Sequence, residues 1–342
     1  MKRTVSIIIT FSILIQALFL YSCSAKKEKF SANSFDYFDT VTTVVGYADS
    51  KEEFDEVYEE IKASLAEYHK LYDIYNSYNG INNLYTVNNT EEAVTVDKKI
   101  IDLLVYAKEL YTTTNGAFNV AMGSVLGIWH DYRERASLSP DKAALPSTEE
   151  LSAAAQHTDI TKIIIDKNTS TVLRSDNKLK IDVGGLAKGY AVQMTARMLE
   201  EKGIGGYLIN VGGNVRAIGK KADGERWKVG VENPDSNSEN AYLETLSLEN
   251  TSLVTSGSYQ RYYEYNGKRY HHIIDPATLM PSEYYLLVSV HTKDSGLADA
   301  LSTALFVTPF EEGLALIESL EGVEAMWVFN NSEKKYSSGF KN

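Results

Sequence analysis

Hydrophobic and polar positions recur with a helical period in several stretches of the chain. The apolar residues of EEFDEVYEEIKASLAEYHKLYD, at 52–73, return every three or four positions, which predicts an amphipathic helix. DKKIIDLLVYAKELYTTTNG, at 97–116, predicts a second helix that ends at Gly116. A third helix is predicted to begin near Ser147, because Glu150 three residues later completes a capping box. Further helices are predicted from about 187 to 202 and over GLADALSTALF and PFEEGLALIESL.

Other stretches alternate with the period of two that is typical of β-strands. One is FDTVTTVVGYA, at 38–48, and such segments become frequent from residue 161 onward. They are TKIIID, TVLRS, LKIDV, YLINVGGNVRAIG, WKVGVENP, a hairpin around NGK at 266–268, and a last strand, VEAMWVFN. This pattern predicts an α+β fold in which helices pack on a mostly antiparallel sheet. Because no Pro/Ser-rich linker interrupts it, 35–342 is predicted to form a single compact domain.

The amino-terminal residues have the pattern of an export signal. MKRTVSIIITFSILIQALFLYSC begins with basic residues and continues with an apolar run, at 5–21, that is short for a membrane span. LYSC, at 20–23, resembles a bacterial lipobox, which implies a signal peptide at 1–22, lipidation of Cys23 and a polar tether at 23–34. The protein is then anchored to a bacterial cell membrane by lipid and faces outside the cytoplasm. A simple cleaved signal and an anchor helix are the alternatives.

Composition and charge narrow the classes of partner. The chain has 342 residues, of which 44% are hydrophobic and 23% are charged, as expected for a globular protein with a substantial core. Its net charge of −12 argues against binding to nucleic acid, because the phosphates would require a basic surface. With Cys23 used for lipidation, no cysteine is left for a disulfide, a thiol nucleophile or a cysteine metal site.

A glycine-rich motif, DVGGLAKGYAVQ at 182–193, joins a predicted strand to a predicted helix. Glycines at such a junction let backbone amides approach a ligand, and the start of a helix favours an anion, so a phosphate site is one interpretation. The motif matches neither GxxxxGK[ST] nor GxGxxG. A tight turn with Lys188 in solvent explains the same residues equally well.

Asp299 and Thr303 lie one helical turn apart in LADALSTAL, so their side chains point the same way. A carboxylate and a hydroxyl are hard oxygen ligands, and they suit a magnesium ion that keeps other positions for phosphate oxygens. Spacing alone favours a structural role, in which Asp299 caps a helix and Thr303 bonds back to its own turn.

Two adjacent histidines stand in TSGSYQRYYEYNGKRYHHIIDP, at 255–276. Because neighbouring residues of a strand point to opposite faces, His271 and His272 cannot both serve one site. Ser256 lacks the GxSxG elbow, so a hydrolase triad is not favoured.

Taken in order, DVGGLAKGYAV, NVGGN, TSGSYQRY with HHIIDP, and ADALSTA resemble the motifs of the ApbE family of FAD:protein FMN transferases. The resemblance extends from about Phe38 to the carboxyl end. It implies an α+β fold that holds FAD in a cleft, with magnesium on the pyrophosphate. A threonine or serine hydroxyl of a target protein then attacks the phosphorus on the FMN side, FMN becomes phosphoester-linked, and AMP leaves. The family's acceptor motif does not occur in this chain, which implies that the target is another, exported protein.

The resemblance also assigns site residues. The family's metal ligands fall on Asp299, Thr303 and, through its carbonyl group, Gly185. The FAD contacts fall on Tyr75, Ala117, Phe118, Asn119, Asp182, Lys188 and His272, and on Phe38, where the family's usual Met-Gly-Thr reads Phe-Asp-Thr.

The transfer needs a base for the acceptor hydroxyl, and histidine has the unperturbed pKa nearest to neutral pH. Of six histidines, His272 is the predicted catalytic base because it directly precedes IIDP in the family-like motif. In the rival interpretation His272 only contacts the flavin or its phosphate, and Asp275 or magnesium prepares the hydroxyl. Two other functions remain open: an FAD pyrophosphatase with water as nucleophile, and a non-catalytic flavin-binding lipoprotein.

Overall fold

The main sheet of the protein is antiparallel throughout. The computed structural model describes residues 27–235 and 237–340, and all elements given below lie in these ranges. In spatial order the strands of this sheet are β1 (Glu28–Tyr37), β2 (Thr40–Ala48), β6 (Tyr207–Val211), β7 (Asn214–Ile218), β10 (Ser252–Gly257), β13 (Tyr285–Thr292), β14 (Glu324–Phe329) and β15 (Lys334–Tyr336). The central strand β7 is buried along its whole length, whereas the edge strand β1 is largely exposed.

The described residues form eight α-helices. They are α1 (Lys51–Tyr72), α2 (Leu84–Asn89), α3 (Lys98–Thr113), α4 (Gly123–Leu138), α5 (Thr148–Ala155), α6 (Ala187–Glu201), α7 (Ser295–Phe306) and α8 (Phe310–Glu318). Among the described residues, none of the helices combines the length and the apolar character that crossing a bilayer requires.

Three smaller sheets complete the fold in the described part of the chain. Their strands are β3 (Val94–Thr95), β5 (Thr171–Arg174) and β4 (Ile163–Asp166) in one sheet, β8 (Trp227–Glu232) and β9 (Tyr242–Leu248) in another, and β11 (Tyr262–Tyr265) and β12 (Lys268–His271) in the third. The predicted hairpin around NGK is confirmed as the turn between β11 and β12.

The core lies on both faces of the main sheet. On one face, α1, α3, α6, α7 and α8 bury residues such as Phe54, Leu103 and Leu305 against it. On the opposite face, the β8–β9 hairpin covers the sheet with Trp227 and Leu248. A separate cluster joins α4, α5 and the β11–β12 hairpin. Alternation of side chains along each strand explains why one strand serves both faces.

Most elements predicted from periodicity are confirmed. The helices expected at 52–73 and 97–116 are α1 and α3, and the one expected at 187–202 is α6. The capping box is present as well, since the Ser147 hydroxyl accepts a hydrogen bond from the Glu150 amide at 3.1 Å. The α+β class and the mostly antiparallel sheet are likewise confirmed.

Two local predictions were wrong, and some elements were not predicted. The predicted tether at 23–34 overlaps β1, whose residues from Glu28 onward pair with β2, so the folded domain includes residues before 35. LKIDV, at 179–183, is extended but is not a strand, because the buried Asn88 side chain bonds both the N–H and the C=O of Ile181. Helix α4 was not predicted, and it begins without a side-chain cap. Cys23 and the predicted signal peptide lie outside the described residues.

Candidate active site

A cleft of about 700 Å³ lies where the first turn of α6, α7, the β6–β7 turn and the loop before β11 meet. Its volume is within the range of pockets that hold cofactors. Nearly all the site residues predicted from the sequence line it, namely Tyr75, Ala117, Phe118, Asn119, Asp182, Gly185, Lys188, His272, Asp299 and Thr303. Phe38 instead packs against His69, with ring centroids 5.5 Å apart, and the following Asp39 and Thr40 line the cleft.

The glycine motif brings α6 into very close contact with α7. A Cβ on Gly189 would lie 2.3 Å from the Ser295 carbonyl oxygen and 2.5 Å from the Asp299 Cβ, so only glycine permits this approach. The Gly189 amide donates to Asp299 Oδ2 at 2.9 Å. Lys188 is not in free solvent, since its Nζ donates to the Gly184 carbonyl at 3.1 Å and lies 3.7 Å from Asp299 Oδ2. The motif therefore contains the expected turn, at 184–186, and its following helix packs against α7 at the cleft, with Lys188 held by partners rather than free in solvent.

The acidic residue of the motif, Asp182, follows the extended segment that Asn88 holds. Its Oδ1 accepts a hydrogen bond from the Gly184 amide at 2.8 Å. Burial raises the pKa of Asp182 above that of a free aspartate, and the Gly184 amide, His130 and Lys188 oppose this shift. A carboxyl group in such surroundings gains from any hydrogen-bond donor that a ligand brings.

Two side-chain oxygen donors of α7, those of Asp299 and Thr303, line the cleft. Asp299 is only 3% exposed, and it does not cap the helix, because Asp294 does so by accepting from the Leu297 amide. Thr303 does bond back to its own turn, donating to the Asp299 carbonyl at 3.2 Å. This bond uses the hydroxyl proton and leaves oxygen lone pairs available. Gly185 lies against the same hydroxyl, since a Cβ there would be 2.9 Å from Thr303 Oγ1.

These donors fit a magnesium ion better than a transition metal. Within 27–235 and 237–340, no three His, Cys, Asp or Glu side chains group as metal ligands. One carboxylate with neutral oxygens is instead the partial shell that Mg²⁺ accepts when substrate phosphates complete it.

The adjacent histidines have different surroundings, although β12 ends at His271 and His272 follows the strand. His271 is buried, and its Nε2 lies 2.7 Å from the Ser282 carbonyl oxygen. His272 lines the cleft, and its Nδ1 lies 3.2 Å from the Arg261 carbonyl oxygen. Because a carbonyl only accepts, Nδ1 carries the proton of the neutral ring and Nε2 is the free base.

The pKa of His272 is set by its surroundings. Burial lowers this pKa to about 3, and the Arg261 and Arg133 guanidiniums contribute to the shift. His272 is therefore neutral at physiological pH in the absence of a ligand. An anion bound in the cleft would raise the pKa again, because it favours the imidazolium form.

The loop after α1 presents Tyr75 to the cleft. Asp73 holds this loop, because its Oδ1 accepts from the Tyr75 amide at 2.7 Å and from the Asn76 amide at 3.0 Å. Tyr75 is 54% exposed as a residue, and its ring centroid lies 4.9 Å from that of His130. A half-exposed aromatic ring at the edge of a cleft is suited to stacking with a planar ligand.

Sequence reasoning missed part of the cleft wall on α4. Arg133 lines the cleft and donates to His130 Nδ1 at 2.9 Å, and Trp129 also lines it. None of these residues stands in a glycine-rich or paired motif, and α4 itself was not predicted. Arg261, which follows the TSGSYQ segment, also lines the cleft and donates to the Asp39 carbonyl at 3.2 Å. The cleft thus combines cationic groups, hard oxygen donors and aromatic rings, as a site for a phosphorylated ring compound would.

Comparison with known proteins agrees with this class of site. The chain matches the ApbE family over residues 38–327. A FAD:protein FMN transferase of Treponema pallidum is 32% identical over 260 residues, covering 72% of this chain and 70% of that protein. One of Haemophilus influenzae is 29% identical over 354 aligned positions, covering 100% of this chain and 98% of the relative. The protein belongs to the ApbE family.

Solved structures share the fold. The ApbE protein of Thermotoga maritima superimposes with a TM-score of 0.80 at 26% identity, covering 92% of this chain and 98% of that one. The flavin transferase ApbE of Vibrio cholerae gives a TM-score of 0.76 at 25% identity, covering 92% and 99%. The fold therefore extends over almost the whole of these relatives.

Proposed function

We propose that this protein is a flavinyl transferase that uses FAD as donor and a hydroxyl group of a protein as acceptor. The observation that carries the proposal is the convergence of His272, Lys188, Asp299 and Thr303 on one cleft of cofactor size. Membership of a family whose relatives are named FAD:protein FMN transferases supports the same reaction.

In this proposal Asp299, Thr303 and the Gly185 carbonyl hold a magnesium ion. When bound, the ion would neutralise charge on the pyrophosphate of FAD and polarise its phosphorus–oxygen bonds. Lys188 Nζ lies 3.7 Å from Asp299 Oδ2, which supports a role for its ammonium group in binding the same phosphates. A cation and a lysine are needed locally because the protein as a whole carries a net charge of −12.

The neutral state of His272 supports its proposed role as the base in the transfer step. Its Nε2 takes the proton of an acceptor threonine or serine, and the hydroxyl oxygen forms a bond to the phosphorus on the FMN side. The bond from that phosphorus to the bridging oxygen breaks, and AMP leaves with the electron pair. Tyr75, Phe118 and Asn119 line the part of the cleft that holds the flavin in this proposal.

We further propose that the acceptor is a separate exported protein. The predicted lipobox with Cys23 would keep the enzyme on the outer side of the cell membrane, held by its acyl chains. Enzyme and acceptor then meet after export.

The test is direct. The purified protein is incubated with FAD, magnesium and a set of exported candidate acceptors, and denaturing gels are examined for flavin fluorescence. A fluorescent acceptor band that depends on FAD and magnesium is expected. Free FMN and AMP with no labelled protein would indicate a pyrophosphatase instead, and unchanged FAD would indicate a non-catalytic flavin-binding protein.

A further inference from the structure

One buried oxygen atom in the cleft wall has no partner. Asn214 is 1% exposed and lines the cleft, and its Oδ1 accepts no hydrogen bond from any described residue. Leaving a buried acceptor unpaired costs about 1–3 kcal/mol, so such an atom requires an explanation. Other unpaired buried side-chain oxygens, among the residues described, include those of Thr42 and Ser252, and neither residue lines the cleft.

The backbone fixes where this side chain lies. Gly212 and Gly213 have φ angles of 54° and 89°, and they form the two-residue turn between β6 and β7. Asn214 directly follows this turn and pairs with Val211 across it and with Val254 on β10. Pairing with β6 and β10 therefore fixes the backbone of Asn214 at the cleft wall.

The same side chain lies beside the proposed metal ligands. A Cβ on Gly189 would be 3.0 Å from Asn214 Oδ1 and 2.5 Å from the Cβ of Asp299. The amide oxygen and the Asp299 side chain therefore both approach Gly189 on α6. Asp299 projects from α7 and Asn214 from β7, so the helix layer and the sheet both contribute to this corner of the cleft.

The chemistry of the unpaired atom restricts what it can bind. An amide oxygen is an acceptor, so a phosphate oxygen, which also accepts, cannot satisfy it. A hard cation can, because amide and backbone carbonyl oxygens are common ligands of Mg²⁺ and Ca²⁺. We infer that Asn214 supplies its Oδ1 to the cation held by Asp299 and Thr303, directly or through one water molecule. This inference rests on the proposed magnesium site and adds to it a ligand from the sheet.

In this inference the unpaired Asn214 oxygen lowers the stability of the metal-free protein and raises its affinity for the cation. Without the cation, the unpaired oxygen weakens the fold, and with it the same oxygen strengthens binding. A leucine of similar shape at 214 removes the unpaired acceptor, so it should leave the metal-free protein as stable as the wild type or more stable. It should also weaken metal binding about tenfold, as loss of a group near a metal commonly does.

The experiment measures Mn²⁺ binding to the FAD-free protein, by the electron paramagnetic resonance of free Mn²⁺ and by the metal-dependent shift in unfolding temperature. The variants are Asn214→Leu, Asn214→Asp and, as a matched control, Thr42→Val, which removes another unpaired buried oxygen away from the cleft. Asn214→Leu should bind Mn²⁺ about tenfold more weakly, which lowers the metal-dependent stabilisation by about 1.4 kcal/mol at saturation. Asn214→Asp should bind at least as tightly as wild type, and Thr42→Val should bind like wild type.

Two results would overturn the inference. The first is a wild-type Mn²⁺ affinity in Asn214→Leu. The second is a metal-free Asn214→Leu that unfolds well below the wild type while Asn214→Asp binds Mn²⁺ more weakly, because the amide would then act as a hydrogen-bond donor to its neighbours. The flavin transfer assay does not depend on these Mn²⁺ measurements. If the variants show the expected Mn²⁺ affinities but the wild type transfers no FMN, the proposed function is contradicted and the role of Asn214 is supported.

Discussion

Gly189 on α6 and Asp299 on α7 are joined by a hydrogen bond of 2.9 Å from amide to carboxylate, and no side chain fits between them. The contact holds the glycine motif against the proposed metal ligand. It also makes the geometry of the site depend on how closely two helices pack.

Replacing Gly189 should therefore damage both stability and the site. In Gly189→Ala the new methyl group meets the Ser295 carbonyl at 2.3 Å, and the helices must separate, at a cost of about 3 kcal/mol. Urea unfolding measures this loss. Gly127→Ala is the matched control, because Gly127 lies exposed in α4 with open space around it, and this variant should gain about 0.5–1 kcal/mol. Equal stability of the two variants would show that the close contact is not needed.

Removing the charge of Asp299 should abolish transfer and spare the fold. Asp299→Asn keeps an oxygen that accepts from the Gly189 amide, whereas Asp299→Ala would leave that buried N–H unpaired and cost about 1–3 kcal/mol. We expect Asn at this position to slow FMN transfer at least about a hundredfold and to change the unfolding free energy by less than about 1 kcal/mol. Transfer rates over a magnesium titration and urea unfolding curves provide the two measurements.

A control for this variant lies on the same helix. Asp294 caps α7 and does not line the cleft, so Asp294→Ala should cost about 1 kcal/mol of stability and leave the transfer rate near that of the wild type. A wild-type rate in Asp299→Asn would refute the metal proposal.

Substitution of His272 should affect catalysis, whereas substitution of His271 should affect stability. His272→Ala removes the proposed base and should slow single-turnover FMN transfer about a hundredfold or more, with nearly unchanged FAD binding. His271→Ala should lower the unfolding temperature, since it empties a buried position bonded to Ser282, but it should transfer FMN near the wild-type rate while folded. If weaker FAD binding accounted for the whole loss in His272→Ala, this residue would be a ligand contact and not the base.

Stability should fall as the pH is lowered below about 6.5. Burial lowers the pKa values of His271, His272 and His291 below the value of 6.5 that holds in the unfolded chain. The unfolded state therefore binds more protons in the window from about 6.5 down to about 3, the folded pKa of His272, and protonation favours unfolding there. Urea unfolding at pH 7.5, 6.0 and 5.0 should show a steady decrease in unfolding free energy.

The histidine origin of this effect can be checked by substitution. His291→Gln should flatten the pH dependence, because one of the contributing groups is removed. Asp182, whose pKa is raised, acts in the opposite direction, since protonation of its folded form stabilises the protein as the pH falls. An unfolding free energy that is constant between pH 7.5 and 5.0 in the wild type would contradict the expected burial of these rings.

The predicted anchor can be tested independently of the transfer activity. Cys23→Ser should leave the protein unprocessed or released from the membrane, because no acyl chains can be attached. Cell fractionation and mass spectrometry of the mature first residue measure this. Wild-type protein that is entirely soluble outside the cell, with no lipid on its first residue, would exclude the lipoprotein assignment.

The sequence by itself determined the elements whose pattern is local. The period of α1, the capping box at Ser147 and Glu150 and the hairpin around NGK could be read directly, because neighbouring residues decide them. The ordered motifs also indicated the family. The expectation that only one of His271 and His272 serves the site agrees with the structure, in which His272 lines the cleft and His271 does not, although His272 lies just after β12 and not in it.

Only the tertiary structure decided which distant residues meet. The Ile181 backbone is paired by the side chain of Asn88, far away in the chain, so a segment with a strand pattern is not a strand. The spacing of Asp299 and Thr303 favoured a helix cap by Asp299. In the structure the Asp299 carboxylate instead accepts a hydrogen bond from the Gly189 amide, and Asp294 caps the helix. Asn214 carries no signal in its own motif, because its unpaired oxygen exists only where β7, α6 and α7 pack together. Packing between elements that are remote in sequence sets burial and partners, and no local pattern records it.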